Sequence, residues 1–196
     1  TYHRANANYR LLLGVCELIV RGLLPTKDSG TTKLNSWVSD DTMSSLYERF
    51  LRGYFAIHHP ELAPCATSVP WDYDVANAVG AEQLPMMRTD VVLRRGERTL
   101  IIDAKYYTKS MQVSMWGKAT VHSANLYQVL TYVKNADVKR DGSVSGLLLY
   151  ARPDAAEQPD LDVVIQGSRI GARTVDLGQP WDRLRVQLES VVTWLE

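Results

Sequence analysis

Long hydrophobic runs, cysteine and excess charge are all scarce in this chain of 196 residues. No apolar run approaches the roughly 20 residues of a transmembrane helix, and the N-terminus lacks a signal-peptide pattern, so we expect no membrane association. The 22 Lys and Arg balance the 22 Asp and Glu, which argues against nucleic-acid binding through bulk charge. Repeats and low-complexity tracts are also missing, so the sequence predicts one globular domain with a sizeable core.

The chain has two cysteines, Cys16 and Cys65, without the spacing of a metal site. Cys16 falls in an apolar helical pattern that indicates a buried thiol. Free thiols fit a reducing cytosol, so we expect a cytoplasmic protein, with a Cys16–Cys65 disulfide as the open alternative. The first residue is Thr1 rather than Met, which suggests a piece of a longer protein.

Residues 85–107 form the most informative stretch of the sequence. Two apolar runs rich in β-branched residues, 91–93 and 99–102, flank Gly96-Glu97. This pattern predicts a β-hairpin whose two-residue loop, with glycine first, suits a type II′ turn.

That turn fixes which residues of the two strands are paired. It sets Arg95 opposite Arg98 and, continued along the ladder, Asp90 opposite Asp103. Because opposite residues and alternate residues share a face of a sheet, Asp90, Asp103 and Lys105 should project on one side. The other side should face a core through four apolar residues, namely Val91, Leu93, Leu100 and Ile102.

Two adjacent carboxylates repel each other unless a cation lies between them. Asp oxygens suit Mg²⁺, which keeps several waters and often shares its shell with phosphate groups. A lysine two residues after the second Asp can bind a phosphate oxygen or help to activate a water. Asp90, Asp103 and Lys105 together therefore predict phosphodiester hydrolysis, whereas each alone is commoner as a cap, turn or surface group.

Residues 86–122 carry more basic than acidic side chains, and this excess surrounds the two aspartates. Such a distribution is typical of a phosphate-binding patch and also of a solvated hairpin tip. We take four of these residues as candidate DNA contacts, namely Arg88, Lys109, Lys118 and His122.

Helical periodicity adds three candidates from outside the hairpin. In a helix over 41–59, Glu48 lies beside the apolar stripe and is either a surface partner of Arg52 or a third carboxylate of the site. In a helix over 123–136 with Ser123 as its N-cap, Gln128 and Tyr132 are four residues apart and therefore neighbours on one face.

The remaining periodicity completes an α/β domain, in which a mixed central β-sheet is flanked by helices. The other expected elements are a helix over 3–22, a short strand over 71–75, a buried strand over 145–151, a hairpin of 161–165 with 173–177, and a last helix opened by Pro180.

With these residues in place, the chain resembles the PD-(D/E)xK nuclease superfamily, since Asp90 matches the first acid and Asp103-Ala104-Lys105 matches the (D/E)xK element. More narrowly, it is similar to the McrC family, the cleavage subunits of McrBC modification-dependent restriction systems. The stretches that carry this resemblance are Met87-Arg-Thr-Asp-Val-Val, Leu100-Ile-Ile-Asp-Ala-Lys-Tyr-Tyr, His122-Ser-Ala-Asn-Leu-Tyr-Gln-Val-Leu-Thr-Tyr, Gly146-Leu-Leu-Leu-Tyr, and Thr174-Val-Asp-Leu-Gly followed by Trp181.

The resemblance implies a restriction-endonuclease-like core that cleaves double-stranded DNA with Mg²⁺, or with Mn²⁺ as a substitute. Asp90, Asp103 and the Ala104 carbonyl would ligate the metal, and Lys105 would orient or activate the attacking water. Glu48 would be an auxiliary acid and possible metal ligand, and Gln128 and Tyr132 would organise the site. We expect one nuclease domain over 1–196, divided into N-terminal helices (1–60), the catalytic sheet and helix (61–178) and a C-terminal helix (179–196).

The resemblance also implies an McrB-type AAA+ GTPase hexamer that reads 5-methylcytosine, so target choice would lie outside this chain. Cleavage of both strands would bring in a second copy of the nuclease. McrC-like proteins carry a further N-terminal region that engages the GTPase, and we expect that region to be missing before Thr1.

Two other functions fit the same residues. One is a stand-alone RecB-like nuclease that acts without a GTPase. The other is a catalytically silent DNA-binding or scaffold subunit, against which the adjacent like charges of Asp90 and Asp103 argue.

Overall fold

The computed structural model describes residues 40–106, 111–113, 119–152 and 157–196. The helix predicted over 3–22 lies outside these residues, and so do Lys109 and Lys118. Cys65 is a free thiol, whereas Cys16 is outside the described part of the chain. No helix within that part is long and apolar enough to cross a membrane.

The described residues form three α-helices, nine strands and four short 3₁₀ turns. The helices are α1 (Asp40–His58), α2 (Ser123–Ala136) and α3 (Trp181–Val192). The strands are β1 (Ser68–Val69), β2 (Met87–Arg88), β3 (Val91–Arg95), β4 (Arg98–Lys105), β5 (Met111–Val113), β6 (Ala119–Val121), β7 (Val144–Ala151), β8 (Leu161–Ile165) and β9 (Ser168–Val175). The 3₁₀ turns are Pro60–Leu62, Val75–Asn77, Ala81–Gln83 and Thr193–Leu195.

Five strands build the central sheet in the order β3-β4-β7-β9-β8. The inner strands β4, β7 and β9 are parallel, while β3 and β8 pair antiparallel at the two edges. Two further antiparallel pairs, β1 with β2 and β5 with β6, lie outside this sheet. The structure therefore confirms the predicted fold class, a mixed sheet flanked by helices and consistent with a PD-(D/E)xK core.

The β3–β4 ladder has the predicted register from Val91 opposite Ile102 to Arg95 opposite Arg98, but it ends before Asp90, so Asp90 and Asp103 are not a ladder pair. Leu93 pairs with Leu100 and Arg95 pairs with Arg98. Gly96 has φ +57°, whereas Glu97 is not among the described residues with positive φ. This combination is that of a type II′ turn, because a type I′ turn needs positive φ at both positions.

Helices cover both faces of the sheet, so each face has its own core. On one face, α1 and α3 pack over the four apolar hairpin residues that were predicted to face a core. On the other face, α2 packs over Val92 and Ile101. Asp103 and Lys105 alternate with Ile102 and Ala104, and therefore project on the side of α2.

Three local predictions need adjustment. The prediction of a strand over 71–75 is wrong, because β1 ends before Pro70. The Asp74 carboxylate instead accepts a hydrogen bond from the amide of Ala76, and this bond caps a 3₁₀ turn. The residue preceding the first turn of α2 is His122, not Ser123. Strand β9 begins five residues before the predicted start, at Ser168, because residues 168–172 pair with β8.

Candidate active site

Asp90, Asp103 and Lys105 lie together at the end of the β3–β4 hairpin that is remote from its turn. Asp103 is buried with 2% of its surface exposed, and its Oδ2 lies 2.8 Å from Nζ of Lys105. Oδ2 of Asp90 accepts a hydrogen bond from the main-chain N–H of Ala104 at 2.8 Å. The sequence predicted that these three side chains share a face, and the structure brings them together.

Burial dominates the electrostatics of the two carboxyl groups. It raises the pKa of Asp103 to about 7; Lys105 opposes this rise, and the charge of Asp90 adds to it. Burial also raises the pKa of Asp90, against the hydrogen bond from Ala104 and the charge of Lys105. Without a further cation, Asp103 therefore holds a proton more readily than an ordinary aspartate does.

Gln128 connects the lysine to the helix that covers this face. Its Oε1 accepts a hydrogen bond from Nζ of Lys105 at 3.0 Å, and its Nε2 donates to the hydroxyl of Tyr132 at 2.8 Å. Burial raises the pKa of Tyr132, the hydrogen bond from Gln128 lowers it, and the nearby charge of Asp103 raises it. The two α2 residues predicted from sequence thus join one hydrogen-bonded chain with Lys105.

Glu48 approaches the site from α1, which packs on the opposite face of the sheet. It is half-buried, and burial raises its pKa; Asp90 raises it further, while Arg52 and Lys105 lower it. Arg52 donates a long hydrogen bond of 3.4 Å to the main-chain oxygen of Asp90. Glu48 and Arg52 therefore both lie close enough to Asp90 to interact with it. Helical spacing predicted Arg52 as a partner of Glu48 and did not predict its contact with Asp90.

The donor set fits a magnesium ion that keeps most of its water. Residues 40–106, 111–113, 119–152 and 157–196 contain no group of three or more His, Cys, Asp or Glu residues placed to hold a metal. Oδ2 of Asp103 is a buried oxygen whose neighbour at 2.8 Å is the ammonium group of Lys105. Mg²⁺ commonly uses one or two carboxylates together with waters and phosphate oxygens, and Asp90 with Asp103 supply that number.

The residues predicted to contact DNA do not join the hydrogen-bonded cluster of Asp90, Asp103, Lys105 and Gln128 within the described part of the chain. Arg88 lies in β2, is exposed, and lowers the pKa of Glu48 through its charge. His122 is half-buried directly before α2 and makes no capping hydrogen bond there. Contacts of these two residues with phosphate remain predictions, and Lys109 and Lys118 lie outside the described residues.

One buried polar pair next to the site was not found from the sequence. Nδ2 of Asn125 donates a hydrogen bond to the hydroxyl of Tyr150 at 3.1 Å, and both side chains are buried. The available signal was weak: Asn125 precedes Gln128 by three residues and so shares its helix face. Nothing in an apolar run such as 146–150 indicates that its tyrosine hydroxyl needs a partner on a helix.

Comparison with known proteins agrees with the predicted family. A sequence model described as "McrBC 5-methylcytosine restriction system component" matches residues 1–151, which include Glu48, the hairpin and α2. The chain is 31% identical over 184 residues to the type IV methyl-directed restriction enzyme EcoKMcrBC of Escherichia coli strain K12. That match covers 93% of this chain and 52% of the relative, so the chain spans about half the length of the curated relative it matches. The chain belongs to the McrBC family of 5-methylcytosine restriction system components.

Proposed function

We propose that this chain is the DNA-cleaving part of an McrBC-type restriction system, a Mg²⁺-dependent endonuclease that hydrolyses phosphodiester bonds in double-stranded DNA. The supporting observation is the cluster of Asp90, Asp103 and Lys105, two adjacent carboxylates with an ammonium group 2.8 Å from one of them. Two carboxyl groups held this close, one of them buried, are costly to ionise together unless a cation binds them, and family membership supplies the biological setting.

The two aspartates would hold the metal, together with the main-chain carbonyl of Ala104. Bound there, Mg²⁺ would polarise the phosphate and stabilise charge on the leaving oxygen. Asp103 would bind it as a carboxylate, so the proton that its raised pKa retains near neutral pH would leave on binding.

Lys105 would orient the attacking water or contact a phosphate oxygen. Its ammonium group lies between Asp103 and the amide oxygen of Gln128, and these contacts restrict how the ammonium group is oriented. Tyr132, which accepts a hydrogen bond from the Gln128 amide, holds that amide in place. Glu48 would act as an auxiliary acid at the edge of the site.

Target selection would belong to a partner. The resemblance to McrC-type subunits supports an AAA+ GTPase of the McrB type, assembled as a hexamer, that recognises methylated DNA and activates cleavage. Cleavage of both strands would require a second copy of this domain. The balanced charge of the chain agrees with this division, because it provides little sequence-independent attraction to DNA.

The test is cleavage of DNA that contains 5-methylcytosine, in the presence of Mg²⁺, GTP and the cognate GTPase. We expect the wild-type chain to cleave and Lys105→Ala and Asp103→Asn to lose at least about 100-fold in rate, while both variants still bind the partner. Lys139→Ala and Asp72→Asn are matched controls, because they remove the same groups at surface ion pairs with Glu97 and Arg140. Full cleavage by both site variants would contradict the assignment.

Omission of the partner separates the alternatives. Cleavage that never responds to the GTPase or to GTP would favour a stand-alone RecB-like nuclease. Partner and DNA binding without cleavage under any of these conditions, by the wild type as well, would favour a catalytically silent subunit.

A further inference from the structure

We propose that the hydrogen bond between Asn125 and Tyr150 is a positioning device, which sets helix α2 so that Gln128 reaches Lys105. The inference deepens the proposed nuclease function and rests on it. Neither Asn125 nor Tyr150 is placed to contact substrate in this proposal; both act through Gln128.

On the sheet, Tyr150 is the direct neighbour of the lysine. The parallel pairing of β4 with β7 sets Lys105 opposite Tyr150, and registered neighbours project on the same face. Tyr150 is completely buried and belongs to the core between the sheet and α2. The buried core therefore holds the Tyr150 hydroxyl in place, on the strand next to that of Lys105.

On the helix, Asn125 lies in the first turn and shares a face with Gln128 and Tyr132, three and seven residues later. Asn125 donates to the Tyr150 hydroxyl at 3.1 Å, and both side chains are buried. A hydrogen bond between two buried groups is costly to break, so this bond favours the present orientation of the helix.

A second contact fixes the same helix nearer the start of β7. An added Cβ at Gly146 would lie 2.7 Å from Cγ2 of Val133 and 2.8 Å from Cγ2 of Val129, so α2 packs directly on the glycine backbone. The apolar contact at Gly146 sets the distance between helix and strand. The hydrogen bond at Tyr150, four residues on, sets how the first turn is oriented over the site.

This orientation matters because the Gln128 amide uses both of its ends. Its oxygen accepts from Lys105 and its nitrogen donates to Tyr132, so rotation of α2 would break the contact with Lys105. Lys105 would then interact more with Asp103, which is already 2.8 Å away. That pairing would occupy the carboxylate that is needed for metal and draw the ammonium away from the phosphate.

Kinetics of the complex with partner, GTP and Mg²⁺ provide the first test. We expect Tyr150→Phe and Asn125→Leu each to lower kcat about 10-fold with KM unchanged, since a small misplacement of a reacting group is costly. The double variant should be no slower than either single variant, because both remove the same hydrogen bond. Thr131→Val is the matched control: its hydroxyl donates to the carbonyl of Tyr127 within the same helix at 2.7 Å, and we expect its kinetics to be those of wild type.

Nuclear magnetic resonance of the metal-free chain tests the geometry without cleavage. The side-chain amide signals of Gln128, assigned by their loss in Gln128→Glu, should shift in Tyr150→Phe in the direction seen with Lys105→Met. A merely structural role would lower the melting temperature and leave these signals and kcat unchanged, and that result would overturn the inference. If the wild type cleaved no DNA at all, the proposed function would fail, and the amide signals would still decide whether Tyr150 positions Gln128.

Discussion

The carboxylate of Asp90 accepts a hydrogen bond from the main-chain N–H of Ala104. The first acid of the site is therefore attached to the strand that carries the second acid, directly beside it. This bond holds Asp90 beside the buried Asp103, where burial raises the pKa of Asp103 to about 7 against the effect of Lys105, and the charge of Asp90 adds to the rise. The stability of the metal-free protein should reflect that cost.

We predict that Asp103→Asn makes the metal-free protein more stable at alkaline pH. A carboxyl whose pKa rises on folding from 3.8 to about 7 stabilises the protein fully below its unfolded pKa, and this contribution is lost as the pH rises through the folded pKa. Between about pH 4 and about pH 8, the free energy of unfolding of the wild type should therefore fall more than that of the variant. The extra fall should reach roughly 2–4 kcal/mol at the upper end. Urea unfolding of both proteins at both pH values, with a chelator present, measures this difference in free energy.

The surface variant Asp72→Asn is the control for this comparison, because it removes an exposed carboxylate and should follow the wild-type trend. If the unfolding free energies of wild type and Asp103→Asn changed equally with pH, the Asp103 carboxyl would not destabilise the protein at alkaline pH as predicted.

Magnesium should stabilise the wild-type fold through the same two residues. A ligand that binds only the folded state adds roughly 2.7 kcal/mol to the free energy of unfolding when its concentration is about 100 times its Kd. We expect millimolar MgCl₂ to raise the melting temperature of the wild type at pH 8 and to leave Asp90→Asn and Asp103→Asn nearly unchanged. An equal rise in all three proteins, relative to an ionic-strength control with KCl, would place the binding site elsewhere.

Gly146→Ala should destabilise the protein and impair cleavage together. The added methyl group would lie within 3 Å of Val129 and Val133. Because valine in a helix strongly prefers one rotamer, we expect α2 itself to shift. We expect a loss of about 1–3 kcal/mol on urea unfolding, as for other overpacked cores. Gly53→Ala in α1 is the control: its added Cβ meets nothing within 4 Å, and alanine favours a helix interior, so stability should rise by up to about 1 kcal/mol.

Glu48→Gln should reduce cleavage less than the hairpin variants do. Glu48 interacts with Asp90 and Lys105 through charge, yet it forms no three-residue metal cluster with the aspartates in the described part of the chain. We expect a fall in rate of about 10-fold, the usual size for a residue that supports metal ligands. The Mg²⁺ midpoint of thermal stabilisation should change little, and a loss of Mg²⁺ binding equal to that of Asp103→Asn would instead make Glu48 a ligand.

The hairpin could be predicted from sequence because its determinants are local. Gly96 fixes the turn, the turn fixes the register, and a period of two residues then fixes the side on which Asp103 and Lys105 lie, whereas Asp90 precedes β3 and reaches the site through its hydrogen bond with Ala104. The neighbouring placement of Gln128 and Tyr132 followed in the same way from helical spacing. These are relationships within one element or one hairpin, and the chain needs no distant contact to specify them.

Tertiary packing decided how these pieces meet. Glu48 arrives from a helix on the opposite face, Gln128 reaches Lys105 because α2 lies over the sheet, and Asn125 finds Tyr150 across two elements. Such contacts depend on the angle and distance at which a helix packs on a sheet, which side chains far apart in sequence determine jointly. The sequence by itself thus determined the register of the hairpin and the candidate groups that it carries, whereas only the packed structure determined the distances between those groups.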